Sequence, residues 1–343
     1  MSAVGPLRLG LLGAANIGRK FTAALAGSPK VSVGAIASRT EARAAAYAAE
    51  TGIPRWHASY EALLADPEID AVYIPLPNDM HAEWAIRALE AGKHVLCEKP
   101  LALTADQAAA MFAAAARAGR LLVEGYPWLA QPQAARLRAL LSEGAIGPVR
   151  QIAVSFTAPF SDPANIRLRP ENGGGALLDL GSYGVSLLRI VAGAAPLRVS
   201  AIADRAETGV DRGMVVALAF ADGLTATLNC SFAAAYQRRA LIHGATGSLI
   251  TEFPNHAETA PPPLLLWRGS SAEAGPEVLT PPGVNGFRAE AEAFAEAIAQ
   301  GPGHWTGATA AESLDIARTL DAIAESARSG APVTLAPSED PRP

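Results

Sequence analysis

The chain has 343 residues, half of them hydrophobic, so it exceeds what one core usually organises and two domains are expected. A formal net charge of -5 with no block of Lys or Arg removes the electrostatic basis for nucleic-acid binding and leaves a small molecule as the expected partner. The start Met1-Ser2-Ala3-Val4-Gly5-Pro6 has no basic stretch ahead of an apolar one, and no run approaches bilayer-spanning length, so a cytoplasmic location without membrane contact is expected.

Short apolar runs alternate with helical segments over the first 124 residues, the pattern of βαβ units and a doubly wound parallel sheet. The expected strands are Leu7 to Leu12, Val31 to Ser38, Ala71 to Ile74, His94 to Glu98 and Leu121 to Glu124. Gly27, Gly52, Gly92 and Gly119 stand where left-handed helix ends belong, and Thr104-Ala105-Asp106-Gln107 fits a capping box. Beyond Tyr126 the pattern changes. A helix from about Gln133 to Glu143 leads to a strand at Val149 to Thr157, and a loop with Gly173-Gly174-Gly175 leads to another helix. Then come strands at Leu197 to Ala203, Gly213 to Phe220, Leu224 to Phe232, Arg239 to His243 and Ser248 to Thr251, with Asp222-Gly223 as a hairpin turn. This predicts an α/β protein with domains 1–124 and 125–343, the second an α+β domain with a large open, mainly antiparallel sheet. A C-terminal helix at 309–330 is expected to pack back on the first domain, and the tail from Ala336 to be disordered. Cys97 and Cys230 lie in apolar strand runs and read as buried thiols.

Gly10-Leu-Leu-Gly13-Ala14-Ala15-Asn16-Ile17-Gly18 follows the first strand and opens the first helix, the context of a dinucleotide fingerprint in which a pyrophosphate approaches backbone N–H groups. Its middle glycine is Ala15. Gly13, Ala15, Asn16 and Ile17 are the expected contacts. The second strand ends at Ser38-Arg39-Thr40, where an enzyme using NAD places an acid on the ribose 2′-hydroxyl. Ser38, Arg39 and Arg43 instead suit a 2′-phosphate, which makes NADP the expected cofactor. Lys99, in Glu98-Lys99-Pro100, ends a buried strand at the edge where open α/β sheets bind ligands.

Taken in order, several linked motifs resemble the Gfo/Idh/MocA oxidoreductases over nearly the whole chain. They are the fingerprint, Ile74-Pro75-Leu76-Pro77-Asn78-Asp79-Met80-His81, Gly92-Lys93-His94-Val95-Leu96-Cys97-Glu98-Lys99-Pro100, Glu124-Gly125-Tyr126, and Gly173 to Tyr183 with Asp179 inside it. The branch resembled is that of glucose-fructose oxidoreductase, dimeric dihydrodiol dehydrogenase and NADP-dependent xylose dehydrogenase, since Tyr183 stands where inositol-type members have histidine. The resemblance implies an N-terminal Rossmann domain and a C-terminal domain whose open sheet builds a homodimer or homotetramer. It implies that Leu76, Pro77 and Asn78 line the cofactor, that Glu98 and Lys99 lie near the nicotinamide ribose, and that Lys99-Pro100 is cis. His81 is read as a cofactor-loop residue or a structural helix-start residue.

Oxidation of a secondary alcohol requires the hydroxyl proton to leave, so a base must lie within hydrogen-bond reach. Lowering a phenol's pKa from about 10 by about 3 units takes roughly 4 kcal/mol of differential stabilisation, which a nearby Lys99 ammonium is expected to supply in part. Tyr183 is then the expected general acid/base, Lys99 the polarising charge and Asp179 a residue positioning lysine or substrate. Where relatives often carry arginine and histidine, this chain has Leu129 and Gln131, so a less charged pocket is expected. Tyr126, Trp128, Asn165 and Arg167 are the expected substrate residues. The six histidines show no zinc-site spacing, and no metal is expected. The expected activity is hydride transfer between NADP(H) and a sugar-like or vicinal diol substrate; the alternatives are a non-catalytic NADP-binding regulator or a redox-assisted epimerase or eliminase that retains its cofactor.

Overall fold

A computed structural model describes residues 5–162, 164–256, 258, 261–269 and 275–337. The chain divides into two compact units, one of residues 1–102, 106–130 and 285–310, the other of 103–105, 131–284 and 311–343.

The first unit holds a parallel sheet of β1 (Leu7–Leu12), β2 (Val31–Ala37), β3 (Arg55–His57), β4 (Ala71–Ile74), β5 (His94–Glu98) and β6 (Leu122–Gly125) in the order β3-β2-β1-β4-β5-β6. This is the doubly wound arrangement, whose strand order reverses beside β1 and leaves a crevice at the carboxyl ends of the strands. Its helices are α1 (Asn16–Ala24), α2 (Glu41–Thr51), α3 (Tyr60–Leu64), α4 (His81–Glu90) and α5 (Ala105–Ala118). The glycines expected to end helices all have positive φ: 73° at Gly27, 72° at Gly52, 79° at Gly92 and 61° at Gly119. Leu9, Leu11, Phe21, Ile36, Tyr47, Tyr73 and Leu96 form the centre of its core. Phe21 stacks on Tyr73 at 3.9 Å.

The second unit contains α6 (Pro132–Ser142), β7 (Val149–Thr157), α7 (Ser182–Ala192), β8 (Arg198–Arg205), β9 (Asp211–Ala219), β10 (Thr225–Ser231), β11 (Gln237–Gly244), β12 (Gly247–Thr251), β13 (Leu264–Arg268) and β14 (Glu277–Leu279). A further helix, α8 (Gly286–Gln300), belongs to the first unit, whereas α9 (Ala310–Ser329) and β15 (Val333–Thr334) group with the second. Nine strands form one sheet in the order β14-β13-β12-β11-β7-β10-β9-β8-β15, antiparallel except for β7 with β10. The turn between β9 and β10 takes Asp222 and Gly223 through φ of 55° and 77°, as a tight hairpin requires. Ile202 and Val215, register partners on β8 and β9, are exposed on the open face.

Two expectations about the domains are corrected. The boundary at 124/125 moves to about 130, and the later helix that joins the first unit is α8 rather than 309–330: Phe287, Ala291 and Phe294 enter the first core. The helical stretch Pro170–Ala192 is long and apolar enough to cross a membrane, but 83% of its apolar window is buried, as in a core helix. Of the tail expected to be disordered, residues 338–343 lie outside the described residues.

One buried ion pair fixes α7 in the second unit. Arg189 Nε donates to Asp315 Oδ2 on α9 at 2.7 Å, with both side chains almost fully excluded from water. Removing one partner of such a pair strands the other charge in a low-dielectric interior. Asp315→Ala is therefore expected to lower unfolding stability by about 3–5 kcal/mol in denaturant titration. A loss of under about 1 kcal/mol would show that the pair does not anchor α7.

Candidate functional site

The fingerprint turn leaves β1 with Gly13 N donating to Ala37 O at 2.9 Å and enters α1 at Asn16. Gly13 adopts φ 107°, and a Cβ there would meet Leu76 Cδ2 at 2.7 Å, so both conformation and space demand glycine. Ala15 is the N-cap of α1 with extended backbone (φ -90°, ψ 152°) and makes no side-chain cap bond. Its conformation is open to any L-residue, which explains why the motif tolerates alanine there. At Gly18 an added Cβ would come within 2.7 Å of the Tyr47 hydroxyl, which donates to Ala15 O at 3.0 Å. A helix start lacking a side-chain cap carries partial positive charge on its free N–H groups and suits a phosphate.

Arginines gather beside that turn. Arg43 Nη2 donates to Ala14 O at 3.2 Å, and Arg19 donates to Asn16 Oδ1 at 3.1 Å and to Glu50. Burial raises the Tyr60 phenol above its ordinary pKa while Arg39 and Arg43 draw it down, so both guanidinium groups lie within electrostatic reach of one hydroxyl. That hydroxyl would lie 3.8 Å from a Cβ on Gly13. Arg39 is exposed at the end of β2, and Ser38 is buried with its N–H on His57 O. Ala14, Asn16, Arg19, Arg43, Tyr47 and Glu50 line a surface depression here. The corner thus offers an uncapped helix start and converging cations, and it fits a dinucleotide carrying an extra phosphate.

The loop after β4 carries Leu76, Pro77 and a 3-10 turn at Asn78–Met80. His81, 1% exposed, directs Nδ1 to Pro100 O and Nε2 to Leu76 O, both at 2.8 Å. Burial pulls its pKa below the ordinary imidazole value, against both carbonyls. Each ring nitrogen faces a backbone carbonyl, and the neutral imidazole donates its one N–H to either of them, so His81 ties the loop to the turn after β5. The Lys99-Pro100 peptide is cis, as expected. Lys99 is half-buried at the end of β5, and Glu98 accepts from the Tyr73 hydroxyl at 2.6 Å. Glu124 accepts from Leu101 N at 2.9 Å.

In the second unit, Gly173-Gly174-Gly175 leads into a π-helical turn at Leu177–Gly181 that continues as α7. Gly175 has φ 118°, with the Asp211 carboxylate occupying the space a Cβ would need. Asp211 Oδ2 accepts from Leu177 N at 2.6 Å, and burial raises its pKa to about 6. Arg167 Nε donates to Asp179 Oδ2 at 2.6 Å and lies over the Phe160 ring. Asn165 Oδ1 accepts from Arg167 N, shaping the loop that delivers the guanidinium. Tyr183, 7% exposed, accepts at Oη from Asn255 Nδ2 at 3.0 Å. Its ring meets the Phe156 edge at 5.5 Å and the Arg238 guanidinium at 4.5 Å. Gln131 Nε2 donates to Asn255 O at 2.7 Å and Val284 O at 2.9 Å, which holds the Asn255 backbone in place.

Expectation and structure part at several residues. Tyr126 and Trp128 are 0% and 1% exposed, so they are core of the first unit and present no surface to a substrate. Leu129 is likewise core, and Gln131 serves as a backbone brace. Asp179 holds Arg167, which joins two residues that were expected to act separately. Arg238, Asn255, Asp211 and Glu290 were missed. Among the described residues no cluster of three or more His, Cys, Asp or Glu is arranged to hold a metal.

Two family models match the chain: the oxidoreductase family with NAD-binding Rossmann fold over residues 7–126, and the GFO/IDH/MocA C-terminal domain over 134–250. The chain belongs to the Gfo/Idh/MocA oxidoreductase family. It is 36% identical over 330 residues to D-xylose 1-dehydrogenase (NADP(+)) 2 of Haloferax volcanii, covering 96% of this chain and 100% of that one. It is also 37% identical over 334 residues to a dTDP-3,4-didehydro-2,6-dideoxy-alpha-D-glucose 3-reductase of Actinomadura kijaniata, covering 94% and 96%. The crystal structure of a 3-ketoreductase from that organism, with NADP and TDP-benzene, superposes with TM-score 0.84 at 36% identity over 94% of this chain and 98% of that one. Variants of the same ketoreductase with one tyrosine changed to phenylalanine, or one lysine to alanine, have been crystallised with both ligands. Aldose-aldose oxidoreductase of Caulobacter crescentus, with glycerol bound, superposes with TM-score 0.86 at 28% identity over 96% of this chain and 100% of that one.

Glu290 on α8 supplies a test of the first unit's electrostatics. It is 1% exposed, and neither carboxylate oxygen makes a well-formed hydrogen bond. Burial first, then the charge of Glu98, push its pKa well above the carboxylate range, while the Tyr126 N–H acts the other way. Folding therefore favours the protonated form. Its contribution to stability is complete below the unfolded pKa of about 4.3 and is lost as pH rises through the folded value. Glu290→Gln, neutral at every pH, is expected to raise the melting temperature at neutral pH, with the gain vanishing near about pH 4. Equal melting of parent and variant at neutral pH would contradict the raised pKa.

Proposed function

We propose that this chain transfers a hydride between NADP(H) and a secondary alcohol or carbonyl of a sugar-like or vicinal diol substrate, with Tyr183 as proton carrier and Lys99 as the positive charge for the substrate oxygen. The broader activity, that of a sugar or ketosugar dehydrogenase or reductase using a nicotinamide cofactor, follows from family membership and near-full-length relatives that perform it. The cofactor is NADP, in keeping with those relatives and with the arginines at the end of β2.

The observation that carries the finer reading is the Tyr183 hydroxyl. It stands at the start of α7, directly after the π-helical turn, as an acceptor for the Asn255 amide with a cation on its ring. A phenol in such surroundings can release and regain a proton, which an apolar pocket would forbid. A second support comes from the ketoreductase variants. The substituted lysine and tyrosine are separated in that sequence by the same number of residues as Lys99 and Tyr183 are here.

When bound, NADP supplies or accepts the hydride at the reacting carbon. The protein's part is binding and proton transfer. The backbone N–H groups at Ala15 to Ile17 would hold the pyrophosphate, and Arg39 with Arg43 would hold the 2′-phosphate by charge-assisted hydrogen bonds, while Gly13 N donates to Ala37 O and shapes the turn. Leu76 and Pro77 form a nonpolar wall fixed by His81 through the Leu76 carbonyl. In alcohol oxidation the substrate hydroxyl gives its proton to Tyr183 Oη, and in carbonyl reduction Tyr183 returns it. Lys99 favours the oxyanion as charge develops, a stabilisation that acts chiefly in the transition state. Arg167, oriented by Asp179, presents N–H donors suited to substrate hydroxyls.

Arg39→Asp is expected to narrow or reverse a preference for NADP over NAD in binding titrations, since a carboxylate repels the 2′-phosphate and accepts from a 2′-hydroxyl. Equal affinity of the parent for both cofactors would remove this assignment. Tyr183→Phe is expected to lower turnover of a sugar or ketosugar by about 10²- to 10⁴-fold with cofactor affinity nearly unchanged. Lys99→Ala should lose at least as much. Near-normal turnover by Tyr183→Phe, where chemistry limits the rate, would assign the proton to another group.

A further inference from the structure

Arg238 lies on the inward face of β11, in alternation with Ala240 and Ile242, and is 6% exposed. Its guanidinium carbon sits 4.5 Å from the ring centroid of Tyr183, 4.5 Å from that of Phe253 and 4.7 Å from that of Phe156. Among the described residues no carboxylate pairs with it, and its buried Nε has no hydrogen-bond partner. Nη2 donates to Asn255 Oδ1 at 3.1 Å. That bond settles which end of the amide faces the phenol: with Oδ1 engaged by the guanidinium, Nδ2 donates to Tyr183 Oη at 3.0 Å.

A guanidinium taken out of water needs compensation, and elsewhere in this unit the compensation is a carboxylate, as with Arg189 and Asp315. Around Arg238 it consists of π faces, one amide oxygen and the electron density of a phenol. We infer that Arg238 is a positioning residue for proton transfer, its buried charge acting through the Tyr183 ring face and the polarised Asn255 amide to stabilise Tyr183 as the phenolate. Arg238 supplies charge, Asn255 supplies a directed N–H, and both favour the anion over the neutral phenol. The inference rests on Tyr183 being the proton carrier, and it identifies a source of positive charge inside the second unit, besides the lysine singled out by sequence.

The electrostatics agree in sign. Burial lowers Arg238 to about 10, and Tyr183 and Tyr236 act to raise it. An interaction that favours the charged guanidinium beside an ionised phenol favours the phenolate equally, because the coupling is reciprocal. Other titratable groups around the phenol in this unit are each placed differently. Asp179 is held by Arg167 in the preceding turn, and Arg189 is held by Asp315 further along α7. Cys230 on β10 lies beside Gly181, with burial raising its thiol pKa. Tyr236 precedes β11 and contacts Phe156, and His256 follows Asn255 in the chain. Arg238 is the cation stacked on the Tyr183 ring.

The test is a near-ultraviolet phenolate titration of the full chain, with the Tyr183 signal isolated as the difference between each protein and the same protein carrying Tyr183→Phe. In the parent, Tyr183 is expected to titrate below the ordinary phenol value of about 10. Arg238→Gln should raise it by about one unit or more, and Arg238→Lys should recover part of the shift. The pH profile of alcohol oxidation should move to alkaline pH by the same amount with the KM for NADP+ unchanged; a merely structural role would lower the rate equally at every pH. If Arg238→Gln fails to fold, Asn255→Asp replaces the amide by an isosteric carboxylate facing the phenol and should also raise the titration. A Tyr183 titration that stays at the parent value in the folded variant overturns the inference. Should the titration shift as expected while Tyr183→Phe keeps full turnover, the electrostatic coupling of Arg238 to the Tyr183 phenol stands, and the proton-carrier reading fails together with Arg238's part in proton transfer. Should Tyr183→Phe lose turnover while Arg238→Gln leaves the titration in place, the reverse holds.

Discussion

A buried guanidinium with no carboxylate paired to it among the described residues is the constraint around which the surroundings of Tyr183 are arranged. Arg238 must be compensated by whatever β7, α7 and the segment after β12 bring to it, and they bring three rings and one amide. That requirement places Phe253 and Asn255, and through Asn255 it orients the donor on the Tyr183 hydroxyl. Gln131 then braces the backbone carbonyls of Asn255 and Val284, so the polar network has a rigid support of its own. Removing Asn255 or Tyr183 would leave Arg238 less satisfied, which ties stability of this region to retention of the site residues.

The first unit solves a different problem, the reception of anionic charge at a helix start. Gly13 and Gly18 are required by conformation and by contact with Leu76, Tyr47 and Leu11, whereas Ala15 sits in extended backbone that needs no glycine. Loss of the middle glycine therefore leaves the turn intact. His81 shows similar economy. Its ring lies between two carbonyls with one N–H to give, and the imidazole fixes the geometry of Leu76 and Pro100.

Much of the fold was legible because buried parallel strands read as continuous apolar runs. β1, β4 and β5 have the expected ends, and β7 does too. β3 escaped notice because Arg55-Trp56-His57 is three residues long and polar, as an edge strand can afford to be. α8 could not be assigned to the first unit, since only packing of Phe287, Ala291 and Phe294 reveals which core it completes. Motifs singled out Gly13, Arg39, Lys99, Asp179 and Tyr183 as candidates, but position within a motif does not distinguish a ring that lines a pocket from one that fills a core, and Tyr126 and Trp128 fill the core. Arg238 and Asn255 come from strands and turns far along the chain from Tyr183. Strand alternation, which puts Arg238 on the same face as Ala240 and Ile242, was the one available sign that a charge points inward.

The most direct measurement is a crystal structure of the protein with NADP+ and a poorly turned-over sugar or ketosugar analogue. Tyr183 as proton carrier requires Oη within hydrogen-bond reach, about 3 Å, of the oxygen on the reacting carbon. It also requires Asn255 Nδ2 to remain on the same Oη. An ordered analogue whose reacting oxygen is bound by another group, with Tyr183 making no contact to it, would contradict the assignment of proton transfer to Tyr183.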